Sequence, residues 1–172
     1  MNGLRNIDIA VTGRTWLGKG VGSIWTMIED SISAANDEML VTAYSISENS
    51  MELIDLTEKA LLKGIRVTLI VNRFDNQSYA VKEKLRRLNN RFREFILKDF
   101  SPESTSEDLH AKLIVIDHSV ALIGSANLTW KGMVVNHELM VRIKGIHACE
   151  IGNLVDRLLA SDDAKTIEKR SW

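Results

Sequence analysis

Residues 110–127 read HAKLIVIDHSVALIGSAN, and the pairing of this stretch decides the fold. The β-branched apolar run LIVI between Lys112 and Asp117 predicts a buried strand over 111–116. ALIG predicts a second strand over 121–124, with Asp117, His118 and Ser119 as the turn between them. Side chains alternate across a strand, so His110 and Lys112 share one face about 7 Å apart. Ser125 and Asn127 share a face in the same way. A nucleophile, a cation and two neutral groups with affinity for phosphate therefore converge. Asp117 lies at an odd offset from His110, faces away from it in a regular strand, and is assigned to holding the turn.

The flanking sequence alternates strand and helix. Ile7 to Val11 reads as a strand, and 22–35 as a helix with Ile24, Ile28 and Ile32 on one stripe. Met39 to Ala43 is a strand. Ser50 is the expected N-cap of a helix that buries Leu53, Leu56, Ala60 and Leu61 and stops at Lys63 and Gly64. A strand at 66–71, a helix at 78–89 and a strand at 92–97 follow. The segment DFSPESTSEDL at 99–109 holds the only proline and has no hydrophobic period, so it reads as a loop. Beyond the two motif strands come a strand at 139–143 and a helix at about 146–160, and residues 161–172 read as a polar, frayed tail. This alternation predicts an α/β fold, a mixed, mostly parallel sheet with helices on both faces, in one domain spanning 1–172.

Composition limits the functions open to the chain. At 172 residues it is long enough to bury a core without a metal or disulfide, and Cys149 is its only cysteine. That usage fits a reducing cytoplasm. No apolar segment of signal-peptide or membrane-spanning length occurs, so neither export nor membrane association is expected. The net charge of −1 argues against a surface that is basic throughout. Its distribution is uneven: Lys82 to Lys98 carries seven Lys or Arg against two Glu. Arg86, Arg87, Arg91 and Arg93 are accordingly candidate nucleic-acid contacts, with Tyr79 and Phe92 as nearby stacking groups.

His110, Lys112 and Asp117 spell H-x-K-x4-D, followed by Gly124, Ser125 and Asn127 as G-S-x-N. These residues resemble the HKD motif of the phospholipase D superfamily with its usual extension. Tyr44 and Ser45 after one strand, the Lys63 to Val67 segment before another, and Asn136-His137-Glu138 resemble further elements of that superfamily, so the likeness covers nearly the whole chain. It implies a phospholipase D-like α/β/α sandwich and a catalytic set of His110, Lys112, Asp117 and Glu138. In size the chain is similar to the small bacterial endonucleases that carry one motif and work as homodimers.

The resemblance further implies phosphodiester hydrolysis through a phosphohistidine on His110, with a second His110 from the other protomer as acid and base. Lys112, Ser125 and Asn127 would bind the phosphate, and Glu138 would accept from the imidazole and fix its tautomer. Neither a metal nor another cofactor is expected. Nucleic acid is the expected substrate, DNA ahead of RNA, with no sequence-reading module. A phospholipid hydrolase or transphosphatidylase is the alternative. A third reading is a module active only with a partner, since similar small members are encoded beside translocase-type ATPases in antiviral systems. Residues 13–20, GRTWLGKG, nearly match a phosphate loop, but Gly20 stands where a Ser or Thr should bind magnesium. That reading also leaves His110, Lys112, Asn127 and Glu138 without a role. The segment 13–22 is better explained as a Gly-rich loop near the substrate.

Overall fold

A computed structural model describes residues 6–18, 20–48, 51–104 and 106–169. Nine strands form one sheet: β1 (Ile7–Val11), β2 (Gly22–Ser23), β3 (Glu38–Ala43), β4 (Arg66–Asn72), β5 (Phe95–Phe100), β6 (Leu113–Ile116), β7 (Val120–Gly124), β8 (Leu139–Lys144) and β9 (Ala164–Thr166). Their order is β2-β1-β8-β7-β6-β3-β4-β5-β9. The helices are α1 (Ile24–Ser33), α2 (Met51–Leu62), α3 (Tyr79–Arg91) and α4 (Ile146–Leu159).

The mixed α/β class agrees with the sequence, but the balance of strand directions does not. Only β1–β2, β3–β4 and β4–β5 pair in parallel, and the other five pairings are antiparallel. The helical crossovers α2 and α3 permit the parallel run β3-β4-β5. The tight turn from β6 to β7 returns the chain antiparallel. Alternation along β3 divides the core: Met39, Val41 and Ala43 face α1, α2 and α3, whereas Leu40 packs with Val115 and Ala121 against Ala148 and Val155 of α4. Helices therefore cover both faces, three on one and one on the other.

Three boundaries depart from expectation. The strand expected at 92–97 runs over Phe95–Phe100, because α3 continues to Arg91 and the Phe92 N–H still donates to the Leu88 carbonyl. Lys98 and Asp99 belong to that strand despite their charge. The Lys98 ammonium caps the carbonyls of Leu159 and Ala164, and the Asp99 carboxylate accepts from the Phe74 N–H at 2.7 Å. The tail expected to fray instead supplies β9 against β5. The first motif strand begins at Leu113 rather than 111, since the Thr42 hydroxyl, not a neighbouring backbone, receives the Leu113 N–H and donates to the Ala111 carbonyl. The N-cap expected at Ser50 lies outside the described residues. Among the described residues no helix is long and apolar enough to cross a membrane.

Candidate active site

Strand directions gather the motif residues at one edge of the sheet. β3 and β4 end there at Ala43 and Asn72, antiparallel β6 begins there after Lys112, β7 ends there at Gly124, and β8 begins there after Glu138. His110 is exposed on this edge, and Lys112 is only 7 % exposed. The Lys112 ammonium lies 2.8 Å from His110 Nδ1 and 3.2 Å from Nε2, and donates to the His110 carbonyl at 2.6 Å. Both residues precede β6, so the contact comes from the Lys112 side chain folding back onto the His110 ring and carbonyl rather than from strand alternation. Burial pushes the Lys112 ammonium below the usual lysine range, and the Glu138 carboxylate partly opposes this.

Tyr44, at the end of β3, packs on the imidazole with ring centroids 4.7 Å apart, and the Lys112 ammonium sits 5.5 Å from the same ring. The tyrosine thus contacts both motif groups, a closeness its position in sequence, far from them, does not reveal. Asp108, another residue the sequence left unassigned, accepts from Arg73 Nε at 2.9 Å and Asn72 Nδ2 at 3.1 Å. Those two bonds, with the nearby His110 contributing least, hold its carboxyl below the usual range. Asn72 also receives the Leu109 N–H at 2.8 Å, which ties the segment entering His110 to the end of β4.

The second half of the site forms around Glu138. Its carboxylate accepts from the Ser125 hydroxyl and, at 3.2 Å, from Asn136 Nδ2. The hydrogen bond expected between Glu138 and the His110 imidazole is absent from these contacts, and Glu138 instead orients Ser125 and acts on Lys112 through space. Gly124 is required by close approach: a Cβ there would stand 2.3 Å from the Leu139 carbonyl oxygen across the β7–β8 pair. Asn127 lies in the next turn, its side-chain oxygen buried without a partner among the described residues. Gly132 lies against the Asn127 backbone, where a Cβ would come within 2.5 Å of the Asn127 carbonyl oxygen.

Asp117 sits at the other end of β6, away from His110, so the catalytic set implied by the motif is not assembled around it. Its carboxylate accepts from the N–H groups of Asn36, Asp37 and Glu38, each at 2.9 Å. Burial raises its pKa, but these backbone donors and the Asn36 side chain outweigh that and leave it below the ordinary aspartate value. Asp117 therefore clamps the entry to β3, a structural contact other than the turn to which the sequence assigned it.

The basic stretch runs away from the edge that holds His110, with Arg86 just past the end of β4 and Arg91 and Arg93 farthest from it. Arg93 lines a groove with Glu38 and Arg66 at the starts of β3 and β4, the opposite edge of the sheet. Arg91 pairs with Glu58 and lies over Phe92, Arg86 lies over Phe74, and Arg87 borders a groove with Glu58 and Glu83. Two of the remaining histidines are peripheral to the His110–Lys112 pair: His118 approaches Glu38 and Asp156, and His147 approaches Glu150.

The loop after β1 does reach the site. The Thr12 N–H donates to the Glu138 carbonyl at 2.9 Å, its hydroxyl donates to the Asn136 carbonyl, and the Thr15 N–H donates to His137 Nε2. The phosphate-loop alternative does not fit this topology. The strand pairs flanking β1 are β2 and antiparallel β8, so the LIVID strand lies two strands farther away.

Residues 28–157 match the protein family described as cardiolipin synthase, PLD-like domain. The chain is similar to the DISARM protein DrmC of Bacillus paralicheniformis, with 29% identity over 147 residues, which is 85% of this chain and 59% of that protein's length. It is also similar in fold to Nuc, a phospholipase D family member from Salmonella typhimurium, at a TM-score of 0.74 and 17% identity, covering 94% of this chain and 97% of that one. NucT from Helicobacter pylori gives a TM-score of 0.73 at 12% identity, with 94% and 99% covered.

Proposed function

The chain belongs to the family of the PLD-like domain, and from that premise we propose that it is a metal-independent nuclease that hydrolyses phosphodiester bonds through a phosphohistidine. The observation that carries this reading is an exposed imidazole with a buried ammonium 2.8 Å away. A neutral His110 attacks phosphorus, and the bond to the leaving oxygen breaks as a histidinium donates its proton there. Water, deprotonated by the same second histidine, then attacks the phosphohistidine and releases His110. Lys112 holds the phosphoryl oxygens by charge, with Ser125 and Asn127 as neutral donors and Glu138 setting the orientation of Ser125.

The second histidine is the partner's His110, because the chain carries one motif, His118 and His147 lie away from the site, and His137 Nε2 accepts from the Thr15 N–H. A homodimer is supported also by the sheet face beside α4, where Ile9, Ile123 and Leu139 stay exposed in neighbouring strands that lead to the Glu138 edge. DNA is the substrate we favour over RNA, in a cytoplasmic setting. The similarity to a DISARM protein supports a role in antiviral defence; the partner we propose there is a translocase-type ATPase. The family's description as cardiolipin synthase favours phospholipid as the second substrate reading.

One panel separates them. Purified protein is incubated in EDTA with single-stranded DNA, duplex DNA, RNA and phosphatidylcholine vesicles. Nucleic-acid cleavage that disappears in His110→Ala is expected. Cleavage that requires magnesium would remove the mechanism, and hydrolysis confined to the vesicles would remove the nuclease.

A further inference from the structure

Two tryptophans on either side of the site remain outside the chemistry above. Trp16, in the loop after β1, is 43 % exposed and makes a T-shaped contact with His137 at 5.4 Å, next to Glu138. Trp130 is 41 % exposed and begins the π-helical turn Lys131–Val135. Its N–H donates to the Ser47 hydroxyl, three residues beyond the Tyr44 that packs on His110, and Ile46 bridges to Leu128 in the same place. The two turns are joined through Thr12, whose hydroxyl lies 3.4 Å from the Gly132 carbonyl. Both rings are therefore anchored by their backbones to the edge that carries the motif.

Each ring has a cation beside it in sequence. Arg14 and Lys131 are exposed, and among the described residues neither has an ion-pair partner. This differs from the helix α3 cations Lys84 and Arg91, which are paired with Asp55 and Glu58. A half-exposed indole offers a flat apolar face on which another ring can stack, and an unpaired cation beside it favours an anionic ligand. Unpaired nucleobases on a phosphate backbone have both properties, whereas stacked bases inside a duplex present no free ring face.

We propose that Trp16 and Trp130 are stacking platforms for unpaired bases flanking the scissile phosphate, with Arg14 and Lys131 on the adjoining phosphates, so that the site takes single-stranded polynucleotide. This rests on the nuclease reading above. It also moves the nucleic-acid track from the arginines of α3 to the rim of the site.

Binding is measured by fluorescence anisotropy on the full chain carrying His110→Ala, with labelled oligothymidylate, a strand of equal length lacking bases, and a duplex. Trp16→Ala and Trp130→Ala should each weaken oligothymidylate binding roughly tenfold. Trp→Phe at either position should retain most of the affinity, and the abasic strand should bind the parent and the tryptophan variants alike. Arg14→Ala and Lys131→Ala should each flatten the salt dependence by about 0.7 in logarithmic slope. Unchanged affinity in the alanine variants, or an equal loss on the abasic strand, would overturn the platforms. So would conversion of those variants to monomers in sedimentation, which would make the rings contacts between copies. If the wild type cleaves DNA and the tryptophan variants bind like their His110→Ala parent, only the stacking fails. If the parent binds no nucleic acid and the wild type cleaves none, the nuclease reading fails with it.

Discussion

Lys112 combines two demands that oppose each other. Its charge is needed beside His110, yet its burial disfavours that charge and lowers its pKa. Because deprotonation comes earlier than in a free lysine, the alkaline limb of kcat/KM should begin below the ordinary lysine value of about 10.4. Lys112→Ala should lower kcat by roughly 10² to 10³. Lys112→Arg should retain part of the rate and carry its alkaline limb to higher pH, since guanidinium stays charged throughout that range. A profile whose alkaline limb is the same in the arginine variant would assign the titration to another group. Asp117 shows the reverse sign. Its folded pKa is depressed, so its stabilising contribution is complete above about pH 4 and fades as pH falls through the lower folded value. Asp117→Asn, which keeps a residue tolerant of the φ of 50° found there, should cost about 1–3 kcal/mol at neutral pH and progressively less in acid. Urea unfolding at neutral pH and at about pH 3 checks this, and an equal penalty at both would show that the charge is not what matters.

At the scale of elements, the β7–β8 pair sets the position of the phosphate donors. Gly124 opposes Met140 in that ladder, and its missing Cβ lets the Leu139 carbonyl approach. Gly124→Ala should force the strands apart, lower stability by roughly 1–3 kcal/mol, and pull Ser125 from Glu138. A thermal melt and kcat measured together would detect it; an unchanged kcat would mean that the Ser125–Glu138 contact is not needed for turnover. The same ladder marks what the sequence could and could not disclose. The strands around the motif were legible because LIVI and ALIG are apolar runs closed by turn residues, whereas the His110–Lys112 contact lies before β6 and depends on how the lysine side chain folds back. The end of α3 was not legible either. Phe92 belongs to a β-favouring run, and the helical hydrogen bond that claims it is decided by packing against the core. β9 was hidden because its residues are polar and its pairing with β5 is an edge contact. Glu138 was placed correctly at the head of its strand, but its partner depends on the closeness of β7, which no single-strand pattern encodes. The two tryptophans were invisible as a set, since they lie far apart in sequence and meet one edge only through Thr12 and Ser47.

For the whole molecule, one chain supplies one imidazole in contact with Lys112, and the proposed two-step chemistry needs two. Mixing wild-type protein with His110→Ala therefore separates a shared site from a self-sufficient one. After subunits exchange in an equal mixture, random pairing leaves about a quarter of the dimers with two intact histidines, so activity should fall to roughly a quarter of that of the same total amount of wild-type protein. Independent protomers would instead leave about half. The distinction does not depend on knowing the natural substrate, because both values are ratios taken on any strand that the wild type cleaves. Sedimentation of the same mixtures fixes the association state, and a dimer that retains half its activity would place the second proton donor within the chain. A quarter, by contrast, would require the partner's His110 and would make assembly of the dimer the step that creates the enzyme.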